Sequence, residues 1–143
     1  MRISDVLRTK GSGAHTISPD ATVTDLIGQL AEHHVGALVV SAGNGVVAGI
    51  VSERDVVRRL HSAGTEVLGW RVSEIMTVDV HIAAPETLVE DLAREMTERR
   101  IRHVPVVVDG ALVGIVSIGD VVKNRLDEVE YEARSLRSFI AGA

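Results

Sequence analysis

The chain has 143 residues, 45% of them apolar but with only one Trp, one Tyr and one Phe, so its core must be built from Val, Ile, Leu and Ala. So few aromatics argue against a platform for stacking unpaired bases, and a net charge of −5 lacks the basic footprint of a duplex-binding protein, so nucleic acid is not an expected partner. The absence of cysteine excludes disulfides, thiolate metal sites and thiol catalysis.

At the N-terminus, Met1-Arg2-Ile3-Ser4-Asp5 carries no apolar signal core. The uncharged stretch over residues 36–52 is broken by Gly43-Asn44-Gly45 and is too short and too punctuated to span a bilayer. The expectation is a cytoplasmic protein that does not enter a membrane. A short extended segment around Thr16 and Ile17 leads through Pro19 to a helix. There Val23, Leu26, Ile27 and Leu30 recur at helical spacing, and Thr22 with Asp25 forms a capping box. Two Val-rich runs, residues 37–41 and 46–51, flank the glycine turn and read as a hairpin. A second helix starts at Ser52. Residues 63–76, with the lone Trp70, read as a linker.

The same order then returns. Residues 80–83 are extended, and Val89, Leu92, Ala93 and Met96 mark a helix that Thr87 and Glu90 are expected to cap. Residues 104–108 and 112–116 form a hairpin around Asp109-Gly110, and a helix follows from Ser117. This last helix runs on toward Phe139, with pairs such as Glu130 and Arg134 one turn apart. Its extra length predicts either a face for a partner subunit or a solvated surface helix.

The chain is therefore a tandem repeat. His15 to Asp20 overlays His81 to Glu86, and Val23-Thr24-Asp25-Leu26 overlays Val89-Glu90-Asp91-Leu92. Residues 35–40 overlay 101–106. Beyond the unmatched Asn44, Gly49-Ile50-Val51-Ser52-Glu53-Arg54-Asp55 falls on Gly114-Ile115-Val116-Ser117-Ile118-Gly119-Asp120. Two copies without a third predict a closed pseudo-two-fold pair rather than a solenoid. The predicted divisions are a first repeat over 1–62, the linker over 63–76, a second repeat over 77–127 and a helical extension over 128–143.

The doubled Gly-h-h-Ser-x-x-Asp, with h apolar, is the informative element. Locally it reads as a capping box, with Ser at the N-cap and Asp one turn in. A helix N-terminus also offers free N–H groups to an anion, and a carboxylate accepts both cis hydroxyls of a ribose. The two readings are compatible.

With those two motifs and Arg102-His103-Val104-Pro105-Val106-Val107, the sequence resembles a pair of cystathionine-β-synthase (CBS) domains, a Bateman module of the stand-alone bacterial type. The resemblance implies an α+β (mixed α/β) fold of two pseudo-two-fold β-α-β-β-α repeats packed sheet to sheet, with two clefts. It implies a regulatory module, not an enzyme, that binds adenine nucleotides: AMP first, with ATP, ADP, NAD(H) or S-adenosylmethionine as further candidates. Carried over by motif, one cleft takes Ser117 and Asp120 for the ribose, Arg102 and His103 for the phosphate, and Lys10 and His15 from the other repeat. The second takes Ser52 and Asp55, with Met76 and His81, and with Arg54 compensating for Gly36 and Ala37, which stand where the first has its basic pair. Unequal clefts are expected. Family likeness further implies a homodimer and a protein target that reads the bound state. The alternative is a dimerising interaction module with vestigial clefts.

Histidines 33 and 34 are neighbours on one predicted helix and point about 100° apart, and there is no His-x-x-x-His pair, so no metal is expected. No nucleophile–base pair accompanies His103, which leaves it a phosphate contact rather than a general base.

Overall fold

A computed structural model describes residues 1–11 and 14–142. The described residues form five α-helices and five strands, in order α1 (Ile3–Lys10), β1 (Thr16–Ile17), α2 (Val23–His33), β2 (Ala37–Val40), β3 (Gly49–Ser52), α3 (Glu53–Ala63), α4 (Val89–Arg99), β4 (His103–Val108), β5 (Ala111–Ser117) and α5 (Ile118–Gly142). Between α3 and α4 the chain makes two 3-10 segments, Gly64–Gly69 and Val72–Glu74. The mixed α and β repeat architecture is the one expected.

Hydrogen bonding repeats with the sequence. β1 lies parallel to β2, which pairs antiparallel with β3. In the second half β4 pairs antiparallel with β5, and Ala83 bridges Val106 in parallel, as Ile17 does Val40. Residues 80–83 thus supply one bridge rather than a full strand. The Asp109-Gly110 turn is tight because both residues have positive φ, 50° and 79°, as a two-residue hairpin turn demands. The first hairpin differs from expectation: residues 46–48 are not strand. The Asn44 side chain accepts the Val46 N–H at 3.1 Å, and the Gly45 carbonyl accepts the Leu112 N–H at 2.8 Å, so this loop turns toward the second hairpin.

Helix starts show which local signals won. Thr22 caps α2 as expected, accepting the Asp25 N–H at 3.1 Å while Asp25 accepts the Thr22 N–H at 3.2 Å. The expected Thr87–Glu90 box does not form. Leu88 occupies the N-cap of α4, and the Thr87 hydroxyl accepts the Ala84 N–H at 3.3 Å. The hydroxyl closes the preceding turn because it sits one residue too early. Ile27, expected on the apolar face of α2, is 39% exposed, whereas Val23, Leu26 and Leu30 are buried. His34 is not helical but caps α2 in the left-handed region at φ 53°, as Arg100 caps α4 at φ 55°.

Each half has its own core, and each core is completed by a segment that precedes the other half. Leu26, Leu38, Val40 and Val51 pack with Val67, Val72 and Ile75, while Leu92, Met96, Val104 and Val116 pack with Ile3 and Val6. The backbone repeats the exchange. Ile3 N–H donates to Thr87 O and Ser4 N–H to Pro85 O, as Val72 N–H donates to Ala21 O and Ser73 N–H to Pro19 O. Arg2-Ile3-Ser4-Asp5-Val6-Leu7 and Arg71-Val72-Ser73-Glu74-Ile75-Met76 are thus equivalent arms.

Each arm ends against a glycine. A Cβ on Gly49 would lie 2.7 Å from the Thr77 carbonyl oxygen and 2.8 Å from the Met76 sulfur, whereas one on Gly114 would meet only the Leu7 side chain, at 2.7 Å. Gly49→Ala is expected to cost about 1–3 kcal/mol, since backbone must move. Gly114→Ala should cost less because Leu7 has rotamers to change. Urea denaturation of the two variants checks the order.

Candidate functional site

The strand-to-helix junction is built twice. In the first half the Ser52 hydroxyl accepts the Asp55 N–H at 3.3 Å, and Asp55 Oδ2 accepts the Ser52 N–H at 2.8 Å and its hydroxyl at 3.1 Å. In the second, Ser117 Oγ accepts the Asp120 N–H at 3.2 Å and Asp120 Oδ2 accepts the Ser117 N–H at 2.9 Å. Both are reciprocal capping boxes. Capping engages Oδ2 of each carboxylate, and Oδ1 accepts no hydrogen bond among the described residues.

The junctions then diverge. Lys10, at the end of the exchanged helix α1, donates to Asp120 Oδ2 at 2.7 Å and to the Ile115 carbonyl at 2.9 Å. Among the described residues no cation pairs with Asp55. Partial burial alone would raise the Asp120 pKa. The Lys10 hydrogen bond, the Ser117 N–H and the Lys10 charge outweigh it and hold the carboxyl below its usual value.

A cavity of about 440 Å³ opens between the halves. Ser52, Glu53, Arg54 and Asp55 line it from one half, and Arg102, His103, Ser117 and Gly119 from the other. The equivalence of Gly36 with Arg102 explains its shape: Gly36 has no side chain, and the His103 ring fills that space, 3.5 Å from where a Cβ would stand. Burial holds the His103 pKa below 6.5, helped by the Arg102 and Lys10 charges and opposed by Glu53 and Asp120. Burial thus favours the neutral ring of His103.

Two smaller cavities adjoin Lys10. One, about 200 Å³, has Asp120, Lys123 and Asp127 in its wall. The other, about 240 Å³, is lined by His15, His33, Val35, Ala37, Leu38 and Ile115, with His15 stacked on His33 at 3.7 Å between ring centroids.

Of the residues singled out in the sequence, Ser52, Arg54, Asp55, Arg102, His103 and Ser117 share the axial cavity, and Lys10 joins Asp120 to the His15 cavity. Arg102 and His103 thus face both motifs. Met76 packs under Gly49, and His81 bonds to Glu95 on α4; neither lines these cavities. Sequence reasoning missed Glu53, His33, Thr77 and Arg100 as lining residues. Only Arg100 had a signal, its place beside the basic pair. Among the described residues no cluster of three His, Asp or Glu could hold a metal ion, and no helix is long and apolar enough to cross a membrane.

Two β-α-β-β-α halves with exchanged arms, and a Ser–Asp junction in each, with Asp55 lining the axial cavity and Asp120 the smaller one beside Lys10, define a duplicated two-cleft module. The chain belongs to the CBS domain family, whose profile matches residues 3–62 and 72–127. It is 38% identical to the mitochondrial CBS domain-containing protein CBSX3 of Arabidopsis thaliana, over 98% of this chain and 72% of that one. The crystal structure of a CBS-domain containing protein from Agrobacterium tumefaciens superposes with a TM-score of 0.85 at 41% identity, covering 87% of this chain and 99% of that one. That of CBSX2 in complex with AMP superposes at 0.73 and 30% identity, over 88% and 96% of the two chains.

Proposed function

We propose that this CBS pair is a regulatory module, not an enzyme, which binds AMP or a related adenine nucleotide and acts as a homodimer on a protein target. The observation that carries the reading is the doubled Ser–Asp junction, each carboxylate keeping one oxygen free beside a cavity. The AMP complex of CBSX2 supports the choice of ligand. In the Asp120 cleft the carboxylate takes the ribose hydroxyls in exchange for Lys10. The base enters the apolar cavity of Val35, Ala37, Leu38 and Ile115, past His15. The phosphate turns toward Arg102, His103 and the released Lys10. Ser52, Arg54 and Asp55 serve the second cleft, without Met76 and His81, which lie outside its lining. Lacking a counterpart of Lys10, that cleft is the weaker or takes a different ligand, such as the other end of a dinucleotide like NAD(H). Binding shifts a target only if the ligand prefers one arrangement of the halves or subunits.

One observation favours the second reading, an interaction module with vestigial clefts: Lys10 and Ser117 already satisfy Asp120 Oδ2. Calorimetric titration with AMP separates the two. Under the proposal AMP binds and raises the melting temperature, and affinity strengthens as pH falls from 7 toward 6. The phosphate raises the pKa of a histidine that is depressed when the cleft is free, so binding takes up a proton. His103→Asn should flatten this dependence, leaving only the slope of the phosphate's own titration near pH 6. No heat and no thermal shift with AMP, ATP or NAD would leave the interaction module standing.

A further inference from the structure

Helix α5 has 25 residues where its repeat counterpart α3 has 11. Its inner face is spoken for: Val121 is buried, and Glu128 lies 3.8 Å from the N-terminal amine of Met1. Roughly a third of a turn round the helix, at 100° per residue, runs a second stripe: Val122, Leu126, Val129, Ala133, Leu136 and Ile140. The intervals alternate four and three without a break, the spacing of the a and d positions of a coiled coil. Ala133 is half-buried, and the other five are between 46% and 66% exposed. The flanking e and g positions carry Lys123, Arg125, Glu130, Glu132 and Arg137, and the last g position carries Phe139.

Those charges identify what covers the stripe. In a parallel, in-register pair each g residue faces the e residue five positions on in the other helix. Arg125 then meets Glu130 of the second copy, and Glu132 meets its Arg137, so all four such pairs across the two-fold are attractive. An antiparallel pairing that overlaps the whole stripe sets Glu130 against Glu130, Glu132 against Glu132, and Lys123 against Arg137. Like charges oppose it. The antiparallel registers free of like-charge contacts each cover only part of the stripe: one over residues 122–133 leaves Leu136 and Ile140 in water, and one over 129–140, which pairs Glu130 with Arg137, leaves Val122 and Leu126 in water.

We infer that α5 is the seam of a homodimer: two copies of this chain pair along residues 122–140 as a parallel, in-register coiled coil about 27 Å long at 1.5 Å per residue. The seam rests on the dimer proposed above and adds where and in which direction the subunits meet. An isologous contact of this kind closes on itself and exhausts the stripe.

The absence of native cysteine makes the test clean. In this arrangement Leu126 faces Leu126 and Leu136 faces Leu136, within disulfide reach. Under mild oxidation Leu126→Cys and Leu136→Cys should each run as covalent dimers on a non-reducing gel, and Ser135→Cys, on the far side of the helix, should not. Leu136→Glu should sediment as a monomer with its AMP titration unchanged. If the wild-type chain sediments as a monomer, both the dimer and the seam fall. A wild-type dimer whose Leu126→Cys and Leu136→Cys variants stay uncrosslinked keeps the dimer and overturns the seam. So does crosslinking only in a mixture of Leu126→Cys with Val129→Cys, which reports the antiparallel register over residues 122–133, or only in a mixture of Ala133→Cys with Leu136→Cys, which reports the one over 129–140.

Discussion

Asp120→Ala should weaken AMP binding about a hundredfold, or roughly 3 kcal/mol, the sum of two hydrogen bonds to a charged acceptor at about 1.5 kcal/mol each. The carboxylate is pre-oriented for the task. The Ser117 N–H fixes one oxygen, and Lys10 holds the group ionised in the free protein. An orientation already fixed need not be ordered on binding. The loss must appear as lost recognition of the diol. Wild-type protein should therefore prefer AMP over its 2′,3′-dideoxy analogue by a similar factor, and Asp120→Ala should bind the two alike. Folding should suffer less than binding, because the Lys10–Asp120 pair is partly exposed and such pairs contribute little. Calorimetry on the two proteins and two ligands closes the cycle. An Asp120→Ala variant that still prefers AMP would place the diol elsewhere and remove the basis of the proposed function.

How much of this site was legible beforehand depends on how local each signal was. The Ser–Asp junctions were, because a capping box lies within four residues and the motif came twice. The last helix and second hairpin were legible for the same reason. Thr87 misled because a hydroxyl one position before the N-cap bonds the preceding turn instead, which spacing alone does not reveal. The placement of Arg102 and His103 was half visible. Their absence from the first repeat could be read, but not that Gly36 thereby makes room for the His103 ring, a contact 67 positions away in sequence. Lys10 was placed near Asp120 only through family resemblance. Nothing in the residues around it says that α1 crosses to the other half. That crossing is itself written in the sequence, as the likeness of residues 2–7 to 71–76, but with a spacing of 69 rather than 66, and a search at one fixed shift passes over it.

The crossing carries the second large effect. Ile3 is fully buried. It fills the second core beside Leu92 and Val116, and its N–H is held by the Thr87 carbonyl at 2.9 Å. Ile3→Ala should therefore cost about 2–5 kcal/mol, the range for opening a cavity in a packed core. Against a total stability of about 5–15 kcal/mol this is a large share. The location of the damage is the sharper readout. Faster amide exchange should appear in α4, β4 and β5, far along the chain, before it appears in α2 and β2. Val72→Ala should do the reverse and loosen the first core. A loss below about 1 kcal/mol for Ile3→Ala, or exchange that quickens first in α2 and β2, would mean that α1 does not belong to the second core. Lys10 would then lose its anchor beside Asp120, because the same helix that fills the core with Ile3 and Val6 delivers the ammonium to the carboxylate at its other end. Core and cleft are therefore coupled through eight residues of α1. A nucleotide that draws Lys10 off Asp120 acts directly on the segment that joins the two halves.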